Sequence, residues 1–98
     1  MKASKINLSD YLFLQFRTIN PTLEQVGAAY YPHLSKAKLL EKARKMEFPF
    51  LCFKLDESQK SPYLVDIVDL AFVLNERYQA QAKDFEKYTR DALTSAQN

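Results

Sequence analysis

The chain has 98 residues, 47% of them hydrophobic and 13% aromatic, with 14 basic and 12 acidic side chains and a formal net charge of +2. That is the size of one domain with one modest core, and the apolar fraction excludes a disordered chain. One glycine, one histidine and one cysteine exclude a glycine-rich phosphate loop, a histidine-based metal centre and an internal disulfide.

The N-terminal stretch Met1-Lys2-Ala3-Ser4-Lys5-Ile6-Asn7 has no apolar targeting core, and no later run is long enough to span a bilayer. A cytoplasmic chain without membrane partners is expected. Charge is unevenly spread. Residues 1–49 carry eight basic and four acidic side chains, a balance of +4, whereas residues 50–98 carry six against eight, a balance of −2. Five of those eight basic residues fall between Lys36 and Lys45. Such clustering is the electrostatic footprint of phosphate contact, against the plainer reading of a solvated helix face.

In chain order, Ser9 or Asp10 is placed to cap a first short element, Tyr11 to Arg17, whose short apolar run fits a helix or a strand equally well. Asn20-Pro21 breaks it. Thr22, with Gln25 three residues on, forms a capping-box pattern that opens a helix from Leu23 to Tyr30. Gly27 lies inside that helix at a cost of roughly 1 kcal/mol relative to alanine, which a close crossing by the next helix would explain. Tyr31-Pro32-His33-Leu34 forms a turn, because Pro32 cannot continue the helix. His33 either supports that turn or meets a phosphate.

Ser35 caps a second helix predicted to reach Met46, with Leu39, Leu40, Ala43 and Met46 on one apolar stripe. Lys38, Glu41 and Lys45 point away from the stripe, and Lys42 and Arg44 flank the exposed face. Pro49 ends the helical region. Phe50 to Leu55 is apolar apart from Lys54 and reads as a strand buried on both faces, with Tyr63-Leu64-Val65 as its antiparallel return and the polar segment Asp56 to Pro62 between them. Cys52 then reads as a small buried hydrophobe. Asp66 caps a long last helix, in which Ile67, Leu70, Leu74, Tyr78, Gln81, Phe85 and Tyr88 follow an approximate 3-4 spacing.

Little here can carry catalysis. Asp66 and Asp69 read as a cap and a first-turn acid on the last helix rather than an acid/base pair, so no catalytic residue, metal site or cofactor is expected. Phe13, Phe16, Phe50, Phe53 and Phe72 fall at core spacing, which weakens a single-strand stacking role. Tyr63 is more ambiguous, and a contact from the hairpin to the core is favoured for it over one to a sugar-phosphate backbone.

A basic helix followed by a hydrophobic hairpin with a lysine at its tip is the order used by a winged helix-turn-helix. The expected fold is therefore mainly α with a small β-hairpin: a winged helix-turn-helix over residues 1–80, and a C-terminal helical extension over residues 81–98. The chain also resembles the pyocin activator proteins, small phage-type transcription regulators of bacteria. The resemblance rests on Tyr11-Leu12-Phe13-Leu14, Leu23-Glu24-Gln25-Val26 and Tyr31-Pro32-His33-Leu34-Ser35, then on Pro49, Ser58-Gln59-Lys60-Ser61, and Val65 ahead of Asp69-Leu70-Ala71. More distantly the layout is similar to phage excisionases and MerR-type winged helices. Those relatives usually carry a glycine shortly before the proline that opens the hairpin strand, where this chain has Met46-Glu47-Phe48-Pro49.

The resemblance implies activation of prophage- or bacteriocin-type genes through double-stranded DNA. Carried onto this chain, Ser35, Lys36, Ala37 and Lys38 would approach base edges or phosphates, Lys42 and Lys45 would meet phosphates, and Gln59, Lys60 and Ser61 would form the wing contact. No arginine opens the helix, so the commonest bidentate guanine contact is missing and readout of DNA shape gains weight. Two other readings stand beside this one: an excisionase-like architectural factor that bends DNA, and a phage-derived adaptor that binds protein only. Phe85, Tyr88 and Leu93 continue the apolar pattern beyond a complete core. They are expected either to pair with a second chain as a homodimer or to fold back onto Tyr11-Leu12-Phe13-Leu14, and the pairing is favoured. RNA polymerase stays open as a further partner.

Overall fold

A computed structural model describes residues 7–97. Four helices and one two-stranded antiparallel sheet follow in order: α1 Leu8–Phe16, α2 Leu23–Tyr30, α3 Lys36–Arg44, β1 Cys52–Phe53, β2 Leu64–Val65 and α4 Ile67–Gln97. The strands pair Cys52 with Val65 and Phe53 with Leu64.

Local chemistry explains most element starts. The first element is a helix, and its cap is Asn7 rather than Ser9 or Asp10: the Ser9 and Asp10 N–H groups donate to Asn7 Oδ1 at 3.1 and 3.3 Å. It ends at Phe16, where Arg17 turns left-handed (φ 63°) and donates its N–H to the Phe13 carbonyl at 2.6 Å. In α2 the capping box is complete. The Gln25 N–H donates to Thr22 Oγ1 at 3.1 Å, and the Thr22 N–H donates to Gln25 Oε1 at 2.9 Å. Ser35 caps α3 by accepting the Lys38 N–H at 3.1 Å, and Asp66 caps α4 by accepting the Val68 N–H at 2.7 Å.

Leu12, Val26, Leu39, Val65, Ile67 and Leu70 lie at the centre of one core that draws on every helix and on β2. Each such side chain, once buried, contributes roughly 1.5–3 kcal/mol. Gly27 is where α2 and α3 touch. A Cβ there would run into the Leu39 side chain, at 3.1 Å from Cδ2, 3.3 Å from Cγ and closer still to Cδ1. The crossing inferred from sequence is present.

Three expectations are corrected. The α3 stripe does not reach Met46, because the helix ends at Arg44 and Met46 is 88% exposed with φ 55°. Glu47 donates its N–H to the Lys42 carbonyl at 2.9 Å and Met46 donates its N–H to the Ala43 carbonyl at 3.1 Å. Those two bonds form a Schellman ending, with methionine at the left-handed position that usually holds glycine.

The expected strand from Phe50 to Leu55 shrinks to Cys52–Phe53, with Leu51 and Leu55 exposed rather than buried. The backbone of β2 is shared with another partner. Leu23 donates its N–H to the Tyr63 carbonyl at 2.8 Å, and Val65 and Ile67 donate theirs to the Pro21 and Ile19 carbonyls at 2.9 and 3.0 Å. The segment from Ile19 to Leu23 therefore straps the hairpin to the start of α2, and Thr22 forms a bridge with Leu64.

Finally, Phe13 and Phe72 are exposed and not core residues. Phe50 is buried and stacks on Phe48 (ring centroids 5.1 Å apart, planes 11° apart), while Tyr31 meets Phe48 edge-on at 5.2 Å. This aromatic cluster holds the turn after α2 against the approach to β1. Beyond the core α4 runs on as one helix, so Phe85, Tyr88 and Leu93 stay exposed instead of folding back onto α1.

Candidate nucleic-acid interface

The nine residues singled out from sequence on α3 and the hairpin do not form one cluster. The N-terminal end of α3, the start of α2 and the hairpin tip enclose a cleft of about 480 Å³, in which Lys36 comes together with Gln59, Lys60 and Ser61. Ser35 sits at the adjoining helix start with its hydroxyl engaged as the cap. The hairpin tip is shaped by its own short bonds. The Ser58 N–H donates to Asp56 Oδ1 at 2.8 Å, the Lys60 N–H to Ser58 Oγ at 3.1 Å, and the Ser61 N–H to the Ser58 carbonyl at 3.1 Å. Lys60 is thereby presented on an ordered turn.

The remaining lysines follow the outer face of α3. With about 100° between successive residues, Ala37, Lys38, Glu41, Arg44 and Lys45 face away from buried Leu39 and Ala43. Lys42 lies to one side, with its Nζ 5.7 Å from the centroid of the Phe48 ring. It is the least free of the predicted phosphate contacts.

The three lysines of α3 and Lys45 at its C-cap all meet carboxylates. Lys36 lies 3.9 Å from Glu24, Lys42 lies 3.9 Å from Glu47, and Lys38 and Lys45 converge on Glu41 at 3.5 and 2.9 Å. The hydrogen bond from Lys45, and then the charge of Lys38, hold the Glu41 carboxyl below its usual range. Exposed pairs of this kind are screened by solvent and add little stability, so a phosphate can displace the carboxylate at little cost. Among the described residues Arg44 has no ion pair.

Three participants escaped sequence reasoning. Glu41 anchors two lysines, a role legible in principle from its spacing, three after Lys38 and four before Lys45. Glu24 pairs with Lys36 across the α2–α3 crossing, which no local pattern reveals. Lys54 stands over the Tyr63 ring at 4.8 Å and donates to the Ser58 carbonyl at 3.5 Å, bracing the hairpin. Tyr63 itself packs against the core.

Cys52 is half-buried, and burial pushes its thiol up to about 11, so it stays protonated at neutral pH. Among the described residues no group of three or more His, Cys, Asp or Glu side chains is arranged to hold a metal ion, and no helix is long and apolar enough to cross a membrane.

The described residues thus form a small helical domain with a lysine-rich helix beside a polar hairpin. The chain is a member of the pyocin activator family: it matches the family model described as Pyocin activator protein PrtN over residues 9–82, more than half its length. That family is one of regulators of pyocin genes, not of enzymes. No curated protein and no solved structure matches the chain.

Proposed function

We propose that this protein is a transcription activator of prophage- or bacteriocin-type genes that acts in the cytoplasm by binding double-stranded DNA as a winged helix-turn-helix. In this reading residues 1–80 form the binding head, of which residues 1–6 lie outside the described residues, and α2 and α3 form the helix-turn-helix. The outer face of α3 enters the major groove, and the Gln59-Lys60-Ser61 tip meets the neighbouring backbone. The observation that carries the reading is the shared cleft in which Lys36 stands beside Gln59, Lys60 and Ser61. A helix start and a hairpin tip that present cations to one strip of space match a phosphate backbone running past both. Lys38 and Lys45 extend that strip along α3, and Arg44 adds a cation with no carboxylate partner among the described residues.

A salt titration with duplex DNA from the upstream regions of the chain's own gene neighbourhood tests it. Steep weakening is expected, with log K falling by about 0.9 per log salt for every phosphate contact. Affinity that does not respond to salt would refute the reading and leave a protein-only adaptor.

The same head works as one of two. Tyr78, Phe85 and Tyr88 lie on α4 along the line begun by buried Ile67 and Leu70, and all three are exposed. Leu93 stands beside that line. An apolar stripe in that position is covered by the same helix of a second chain, giving a two-fold dimer whose linked heads raise affinity through effective concentration. Light scattering on the full chain should give twice the chain mass, and the double variant Phe85→Ser/Tyr88→Ser should return it to the monomer mass. A monomeric parent at micromolar concentration refutes the dimer.

A further inference from the structure

A second exposed apolar surface lies away from the lysine face. Val68 and Phe72 are four residues apart on α4, hence neighbours on one side of it, and are 62% and 64% exposed. Val68 borders a shallow depression shared with Phe13 and Ile19 of the α1 region. Phe72 borders a second depression, shared with Pro49 and Leu51. Exposed Ile19, Phe13, Val68, Phe72 and Leu51 thus form one band across the α1–α4 side of the head. None of these residues lines the cleft of Lys36 and Lys60.

The charges along the band select its occupant. The ionisable groups that line the two depressions are Asp10, Asp66 and Asp69, all acidic. DNA and anionic lipid headgroups are repelled by such a rim. A second copy placed two-fold on the same face would set these carboxylates against their own equivalents. The complementary partner is a protein surface that offers an apolar side chain ringed by lysine or arginine.

We infer that this band is the activating surface, and that its occupant is a basic, apolar patch of RNA polymerase met beside the bound DNA. The inference rests on the activator reading above and gives the polymerase contact a location. It also accounts for bulky apolar side chains kept exposed on a head whose own core is complete without them, since contiguous exposed apolar patches mark interaction sites.

The test uses the full chain, labelled, with purified bacterial RNA polymerase holoenzyme in the absence of DNA, and measures duplex binding separately. The double variant Val68→Ser/Phe72→Ser should weaken polymerase binding by about tenfold or more while duplex affinity stays within about twofold of the parent. Asp69→Lys, a charge reversal at an exposed position outside the core, should weaken polymerase binding and reduce its salt sensitivity, which keeps the test decisive if the serine pair unfolds.

A parent that does not bind polymerase, or serine and lysine variants that bind as tightly as the parent, would overturn the inference. So would a change in light scattering from dimer to monomer in the serine variant, which would assign the band to a second copy. If the parent binds polymerase and the variants do not, yet no duplex is bound in a salt-sensitive way, the DNA reading fails and the activating surface stands.

Discussion

Met46→Gly should stabilise the protein, although it removes a large side chain. Met46 holds φ 55° as the left-handed residue of a Schellman ending, closed by the Glu47 and Met46 N–H groups on the Lys42 and Ala43 carbonyls. An L-residue in that conformation costs about 1–2 kcal/mol from the approach of Cβ to the following carbonyl, and glycine removes the cost. Against it stands the extra freedom of a glycine in the unfolded chain, about 0.4–1 kcal/mol. Lost packing adds little, because the side chain is 88% exposed. With mid-range values the net gain is about 0.8 kcal/mol, a rise in melting temperature of about 3–6 °C for a domain of this size. Urea unfolding followed by circular dichroism measures it, with Met46→Ala as the control that keeps the strain and loses the side chain. Alanine should leave stability nearly unchanged. A glycine variant no more stable than the alanine one would show that the corner between α3 and the Phe48–Phe50 cluster is not strained, and would refute the reasoning.

The remaining predictions concern the helix crossing, the two binding elements and the thiol. Gly27→Ala gains about 1 kcal/mol of helix propensity but forces Leu39 aside at a cost of about 1–3 kcal/mol, so chemical denaturation should show a net loss. Combined with Leu39→Ala, the same substitution should become stabilising, and a cycle without coupling would place the crossing elsewhere. Neutralising Lys38, Lys42 and Lys45 together as glutamines should flatten the log K against log salt slope by up to about 2.7, with Lys42 giving the least of the three because it is already engaged by Glu47 and Phe48. Glu41→Gln should act in the opposite direction and tighten duplex binding, since it frees two lysines; weaker binding would mean that Glu41 itself touches the DNA. Replacing Gln59-Lys60-Ser61 by Gly-Gly-Ser should weaken DNA binding and leave the melting temperature nearly unchanged, whereas a large drop would make the tip structural. Cys52 should react slowly with a disulfide reagent at pH 8 and quickly once the chain is unfolded. Its pKa is raised from the ordinary 9.0 to about 11 in the fold, so between those values the unfolded chain loses the proton first and stability falls as pH rises.

Features set within one helical turn were legible in the amino-acid order. The Thr22–Gln25 capping box, the caps at Ser35 and Asp66 and the break at Pro32 depend on groups two to four residues apart, so spacing alone specifies them. The close crossing behind Gly27 was readable as well, because a glycine inside a helix calls for a neighbour. Where two local options compete, the decision came from contacts distant in sequence. The α1 cap is the exception, a local choice among neighbouring polar residues, in which Asn7 accepts the N–H groups of Ser9 and Asp10. α3 stops at Arg44 because the chain must turn to seat Phe48 and Phe50 on Tyr31. The apolar run at Phe50 could not announce that only Cys52 and Phe53 would pair, since β2 divides its backbone bonds between β1 and the Ile19–Leu23 strap. For the same reason the lysines were visible as a cluster while Glu24, opposite Lys36, was not. The pairing crosses from one helix to another, and only the angle at which α2 meets α3 brings the two side chains together.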